Sequence, residues 1–442
     1  MRLPNLLVVP AVCLLPLAGC SHIESTTPAP IAIAAQTEYS VQPNTPDSCA
    51  IALAPHSGKD RIDREIVRLQ KEVRESKVDP GPLIENLGWT FVSKARLSYD
   101  PGYYKLAEAS ASCLESKHPA STDALLLRGH VLHSLHQFKE AEVLARKLVA
   151  QREVPYDFGL LGDVLLEQGK LKDAVKAYQK MVDLKPGLQS YSRGAYVRWL
   201  KGDVRGAAQL MSLAARAGSP LDTDVTAWAY TRLALYEYQA GRKQQAKEAC
   251  DFALRYQKDH APALLARGRM LLGEGKHAEA IKPLQRAATL NPLPEYQWVL
   301  ADALRAAGRE PAARAVEAQL VQRGAPDDPR TLSLYLATRK QQPQTALNLA
   351  QRELKIRADI FTLDALAWAL ASTGKVREAR PFMQRALAEG TQDARLFFHA
   401  GTIALKGGEK PEARRWLAKA NQIRHMLLPS EREQLTRQLK TL

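Results

Sequence analysis

The stretch GHVLHSLHQF gathers three of the chain's ten histidines, and its spacing is the first that could do chemistry. His130 and His133 are three residues apart, so on a helix they share one face, while His136 drifts off it. Asp163 and Glu167, four apart, could add carboxylates from a following helix and complete a metal site. Packed or solvent-facing histidines explain the same residues more simply, so no metal is assigned. Gly268 to Gly275 with Lys276 invites a phosphate-loop reading, but no Gly-Lys-Ser/Thr follows at the required spacing. The chain has no G-x-S-x-G elbow and no H-E-x-x-H, and its carboxylates form no outstanding acid/base couple. No catalytic residue and no cofactor is assigned, and the expectation is a non-enzymatic protein.

The elements that carry these residues repeat. In GLLGDVLLEQGKLKDAVKAYQKMVDLKP (159–186) two helical runs meet at Gly169 and the second ends at Pro186. The turn position recurs at Gly102, His136, Gly202, Gly241, Gly275, Gly308, Gln341, Gly374 and Gly408. Five residues after each turn stands an alanine: 107, 141, 174, 207, 246, 280, 313, 346, 379 and 413. Successive alanines are 34, 33, 33, 39, 34, 33, 33, 33 and 34 residues apart, which places an insertion near Ser219–Thr223. Glycine supplies the left-handed conformation that ends the first helix. Alanine lets the second helix come close, at axis separations of about 8–10 Å. Aromatics make up only 6% of the sequence, and no Val/Ile/Thr-rich alternating segment suggests a sheet.

With Gly162, Tyr178 and Pro186 in one repeat and Gly268, Ala287 and Pro292 in another, the chain resembles the tetratricopeptide repeat (TPR) family over about residues 87–422. The resemblance implies an all-α fold: a right-handed superhelical solenoid of about ten TPR hairpins with a C-terminal capping helix over 423–442. Ser430 and Glu433 would form its capping box, with Leu435, Leu439 and Leu442 covering the last repeat. In this family the first helix of each repeat lines a concave groove. On that pattern Trp89, Tyr196, Trp199, Trp228, Tyr238, Trp298, Tyr335, Trp368 and Phe398 would line it, beside Arg269, Asp302, Arg305 and Arg339. The family's core aromatic position is filled separately by Phe91, Phe158, Tyr191, Tyr230 and Phe397.

The N-terminus reads as a secretory signal, with Arg2 followed by an apolar run from Leu3 to Leu17. Leu17-Ala18-Gly19-Cys20 looks like the lipobox of bacterial lipoproteins. That implies cleavage after residue 19 and acyl chains such as palmitate on Cys20; Ser21 points by the same analogy to the outer membrane. Residues 20–58 read as a lipidated tether with five prolines and no Lys or Arg after Cys20. Residues 59–86 read as an amphipathic helical segment with Ile62, Ile66, Leu69 and Val73 on one face. Cys13 leaves with the signal and Cys250 falls at a core position, so Cys49 and Cys113 remain as a candidate disulfide.

The net charge is +15; leaving out Arg2, Glu24, Glu38 and Asp47 puts +17 on residues 59–442. Residues 373–442 alone hold 14 Lys/Arg against 7 Asp/Glu. In an exported protein, anionic envelope partners are the expectation and nucleic acid is not. The functional expectation is a scaffold anchored through its N-terminal lipid to the periplasmic side of the outer membrane. It would hold a protein or peptide partner in the concave groove, in envelope assembly or in cell-wall or secretion machinery. The alternative is a protein that binds cell-wall glycan on the same aromatic residues.

Overall fold

The computed structural model describes residues 47–442. The expected signal peptide, the Cys20 lipidation site and most of the tether lie outside the described residues. Every regular element among the described residues is helical. Two helices come first, α1 (Ser48–Ala52) and α2 (Arg61–Glu75). The hairpins begin with α3 (Gly81–Ser98) and α4 (Gly102–Lys117), α5 (Thr122–Ser134) and α6 (Phe138–Gln151), and α7 (Pro155–Glu167) and α8 (Leu171–Leu184). They continue with α9 (Leu188–Leu200) and α10 (Val204–Arg216), α11 (Thr223–Gln239) and α12 (Lys243–Tyr256), and α13 (Ala261–Gly273) and α14 (His277–Leu290). The last are α15 (Pro294–Ala306) and α16 (Glu310–Asp327), α17 (Pro329–Arg339) and α18 (Pro343–Ile356), α19 (Ile360–Ser372) and α20 (Val376–Leu387), and α21 (Ala394–Lys406) and α22 (Lys410–Gln422). A 3-10 turn (Arg424–Met426) leads to α23 (Pro429–Leu439).

The alanine and glycine requirements behave as helix physics asks. All ten register alanines are 0% exposed, each at the crossing of its hairpin. Gly169 has φ +74°, and the bonds Gly169 N–H to Leu166 O and Lys170 N–H to Leu165 O close a Schellman motif. His136 makes the same turn at φ 61° despite its side chain. Two expected turn positions are corrected. Gly102 is the first residue of α4, and the left-handed residue ending α3 is Tyr99 (φ 54°). Gln341 is likewise flanked by the left-handed pair Lys340 and Gln342. Each of these non-glycine residues accepts about 1–2 kcal/mol of strain. The 39-residue step resolves into a link over 217–222 and a longer inner helix, α11 having 17 residues where α9 has 13.

The tether expectation is corrected at its end. Residues 48–52 are helical, and the disulfide Cys49–Cys113 ties them to α4. Gln70 of α2 donates to the carbonyls of Ala52 and Ala54 at 3.1 and 2.8 Å. The hairpins also begin earlier than expected, at Gly81.

The C-terminal cap is corrected in detail. Its first helical residue is Pro429, and Leu428 N–H donates to the Glu431 carboxylate at 2.8 Å. Ser430 is engaged elsewhere, its amide and hydroxyl both donating to Asp302 of α15. Glu433 is exposed, 3.9 Å from Arg437. Leu435 is fully buried, and Leu439 and Leu442 pack against the same core.

Hairpins far apart in sequence touch. Ala358 N–H donates to Glu167 O at 3.0 Å and Thr391 Oγ1 to Leu200 O at 2.6 Å; Lys201 pairs with Glu389. Ala261 N–H donates to the Tyr99 hydroxyl, and His425 of the terminal segment bonds Tyr238 O at 3.0 Å. Arg432 of α23 donates to the carbonyls of Leu272 and Gly273 at the end of α13. The inner face of the array is therefore packed against the chain itself.

Candidate functional site

This self-packing decides the fate of the expected groove. Trp199 stacks on Tyr196, Tyr236 and Phe361 and donates its indole N–H to Gln239 at 2.8 Å. Gln239 in turn donates to Gln392 O. Trp368 is 6% exposed, donates to Thr338 Oγ1 at 3.0 Å and stacks on His399 with centroids 4.0 Å apart. Trp298 is buried edge-on to Tyr335 with the Arg395 guanidinium 4.7 Å from its ring. Tyr335 and Phe398 are buried in the same core, and Tyr238 is buried with its hydroxyl donating to Met270 O. Two others are half-buried: Tyr196 under Arg232, and Trp89 beside His130. Only Trp228, at 39%, is exposed. The expectation of an open aromatic groove is corrected: these rings close the interior.

The expected core aromatics show the complementary pattern. Phe91 and Phe397 are buried, but Phe158, Tyr191 and Tyr230 are only half-buried.

The groove charges are also used internally. Arg269 pairs with Glu295 at 2.7 Å. Arg305 pairs with Glu310 and Glu317, and Arg339 lies 3.6 Å from Glu317. Burial alone would raise the Glu317 carboxyl, but Arg305 and Arg339 hold it below the usual carboxylate range. Burial pushes Asp302 up, against the two bonds from Ser430.

The histidine cluster does not assemble with the carboxylates it was matched to. Asp163 is taken by Arg193 at 2.8 Å and by the Tyr178 hydroxyl at 2.8 Å. Glu167 lies 3.5 Å from Arg357. Burial, then His133 and Arg96, hold His130 down to about 3, so its imidazole is neutral. Among the described residues no group of three or more metal-ligating side chains comes together.

One partly exposed cluster lies outside the expected set. On the fifth hairpin, Tyr230 of α11 stacks on Phe252 and Tyr256 of α12, with centroids 5.3 and 5.7 Å apart. The Arg255 guanidinium sits 4.0 Å from the Phe252 ring, and Phe252 is 41% exposed. Phe252 and Tyr256 are four residues apart, the spacing that puts two rings on one helix face. That signal was present in the sequence.

The tetratricopeptide repeat family model matches residues 160–222, 231–293 and 365–424, which span the hairpins α7–α10, α11–α14 and α19–α22. No curated protein matches the chain. Among solved structures, YrrB, a TPR protein with an unusual peptide-binding site, is 20% identical over 46% of this chain and 98% of its own, with a TM-score of 0.28. Yeast Tom70 is 13% identical over 86% and 96%, with a TM-score of 0.39. A tetratricopeptide repeat protein from Parabacteroides merdae is 16% identical over 57% and 97%, with a TM-score of 0.33.

Proposed function

We propose that the chain is a non-enzymatic adaptor, anchored to the outer membrane through lipid on Cys20, which binds a protein partner in the cell envelope. Tetratricopeptide arrays commonly act as scaffolds for protein or peptide partners. The inner face is filled by the chain's own turns and its terminal helix, so the partner surface moves outward, to Tyr230, Phe252, Arg255 and Tyr256. That cluster, with Phe252 exposed and the two tyrosines half-buried beside it, is the observation carrying the reading. Aromatic and arginine side chains dominate the energetics of protein interfaces. A glycan platform needs open ring faces, whereas here the rings are engaged by one another and by Arg255. The protein reading is favoured on that ground.

The test is site-specific photocrosslinking in cells, with the reactive group at Phe252 and, as an inner-face control, at Tyr335. A discrete protein adduct at 252, lost in a Tyr256→Ala background and absent at 335, supports the proposal. Adducts at 335 but none at 252 overturn the outer surface. Binding of purified cell-wall glycan that Tyr256→Ala abolishes would restore the alternative.

A further inference from the structure

We infer that the exposed face of α2 is a docking surface for an anionic lipid bilayer, which lays the first hairpins on the membrane. The inference rests on the lipid-anchor reading above. α2 buries Ile66, Leu69 and Val73, and turns the opposite side outward. Along that side Arg64, Val67, Lys71 and Arg74 follow at helical spacing, one above the other, with Val78 just beyond the helix end. Val67, between Arg64 and Lys71 on the face, is 45% exposed, and Val78, between Lys77 and Asp79, is 78% exposed.

The charges on this face are not neutralised as their neighbours are. Arg68 is held by Glu65 and Glu72, and Lys94 by Asp63. Among the described residues, Arg64, Lys71 and Arg74 have no carboxylate within 4.0 Å. Arg64 donates to Lys59 O at 2.6 Å and Arg74 to Leu53 O, bonds that fix the guanidinium groups without cancelling their charge. The exposed acidic residues nearby are Asp60 at the start of the helix and Glu75 and Asp79 at its end, Asp79 being bonded to His118 at 2.8 Å.

Val67 and Arg74 also border a shallow depression whose other walls are Ala50, Leu53, Ala54, Pro55, His56 and Gln70. Apolar atoms bordered by Arg74, with Arg64 and Lys71 along the same helix, match the boundary between headgroups and acyl chains, where the charge meets phosphate and Val67 reaches below it.

The occupant is chosen by where the chain enters. The residues before Asp47 lead directly into α1, and the disulfide Cys49–Cys113 holds α1 against α4 beside this depression. Only 26 residues separate Cys20 from Asp47, so a lipid on Cys20 keeps a bilayer within reach of α2. Basic residues at an anionic leaflet add to a lipid anchor as a second membrane signal.

The test uses the full chain carrying Cys20→Ser, so that no acyl chain contributes, in sedimentation with lipid vesicles. One set is phosphatidylcholine alone; in the other, phosphatidylglycerol is about a third of the lipid. Binding to the anionic set should exceed binding to the neutral set and fall in high salt. Arg64→Glu with Lys71→Glu should lower it at least about tenfold, whereas Lys71→Arg should leave it unchanged. Residues 1–19 are common to all variants, so the comparison between them reads α2. Equal binding to both vesicle sets, or undiminished binding by the double variant when its helical melt matches wild type, overturns the inference. Failure of the anchor reading is seen separately, as a native protein whose mass carries no acyl groups at Cys20.

Discussion

Replacing Trp368 with alanine should destabilise the protein as much as emptying a recognised core position, or more. The indole is 6% exposed, stacked on the fully buried His399 and within reach of Phe398. Losing so large a buried ring costs about 3–5 kcal/mol in transfer and cavity terms. The substitution also strands the buried Thr338 hydroxyl that accepts the indole N–H, adding about 1–3 kcal/mol. Trp368→Phe keeps most of the apolar area and forfeits mainly that hydrogen bond, so it should lose about 1–3 kcal/mol. Leu161→Ala, at an undisputed hairpin core position, should cost about 2–5 kcal/mol, and Trp228→Ala, at an exposed ring, well under 1 kcal/mol. The assay is thermal and urea unfolding followed by circular dichroism, with amide exchange over α17 and α19, because repeat arrays can unfold in segments. A Trp368→Ala protein that unfolds and exchanges like wild type would mean that the ring carries no core packing, and would return it to an open groove.

Gly162→Ala should destabilise despite alanine's better helix propensity: a Cβ there would lie 2.3 Å from the Tyr178 ring, which is buried and bonded to Asp163. Overpacking of about 1–3 kcal/mol exceeds a propensity gain of about 1 kcal/mol, and a higher melting temperature would contradict this. His260 is buried, and burial holds it down to about 4 from 6.5, so the native state binds fewer protons than the unfolded one. Its contribution is present above pH 6.5 and lost as pH falls toward 4, about 3 kcal/mol in all. His260→Gln should flatten the stability profile over that window, and an unchanged profile would place the acid sensitivity elsewhere. Deleting residues 429–442 removes Leu435 and leaves Asp302 and Arg395 without Ser430 and Glu431. Aggregation and a lower melting temperature should follow, and an unaltered melt would make the terminal helix dispensable.

The repeating frame was legible because its requirements are local. A left-handed turn needs glycine and a close crossing needs alanine, and both needs return with each hairpin, as at Gly169 and Ala174. Where another residue accepts the strain, as Tyr99 and Lys340 do, glycine does not mark the turn and its position slips by one to three residues. At the terminal helix, Ser430 and Glu433 matched a capping pattern by spacing alone. Pro429 was the better marker, since proline favours the first helical turn. The inner aromatics were misassigned for a different reason. Whether Trp199 or Trp368 faces solvent depends on how tightly the array coils and on what crosses its inner face. Contacts such as Thr391 with Leu200 and Arg432 with Leu272 set that coiling, and they join residues 191 and 160 positions apart. No single repeat encodes them. The outer stack of Tyr230, Phe252 and Tyr256 could be read from spacing, but assigning Tyr230 to the core concealed it.

Among the described residues the array closes on itself, and its inner aromatics line no open groove. Zero-length carbodiimide crosslinking of the dilute full chain tests it directly. Lys201 and Glu389 stand 188 residues apart in sequence and form an ion pair across the closure, both partly accessible to reagent. The expected product is an intramolecular amide between the peptides bearing Lys201 and Glu389, lost in Glu389→Gln. Crosslinks confined to sequence neighbours, with Lys201 never joined to Glu389, would contradict the closure and reopen the inner face to a ligand.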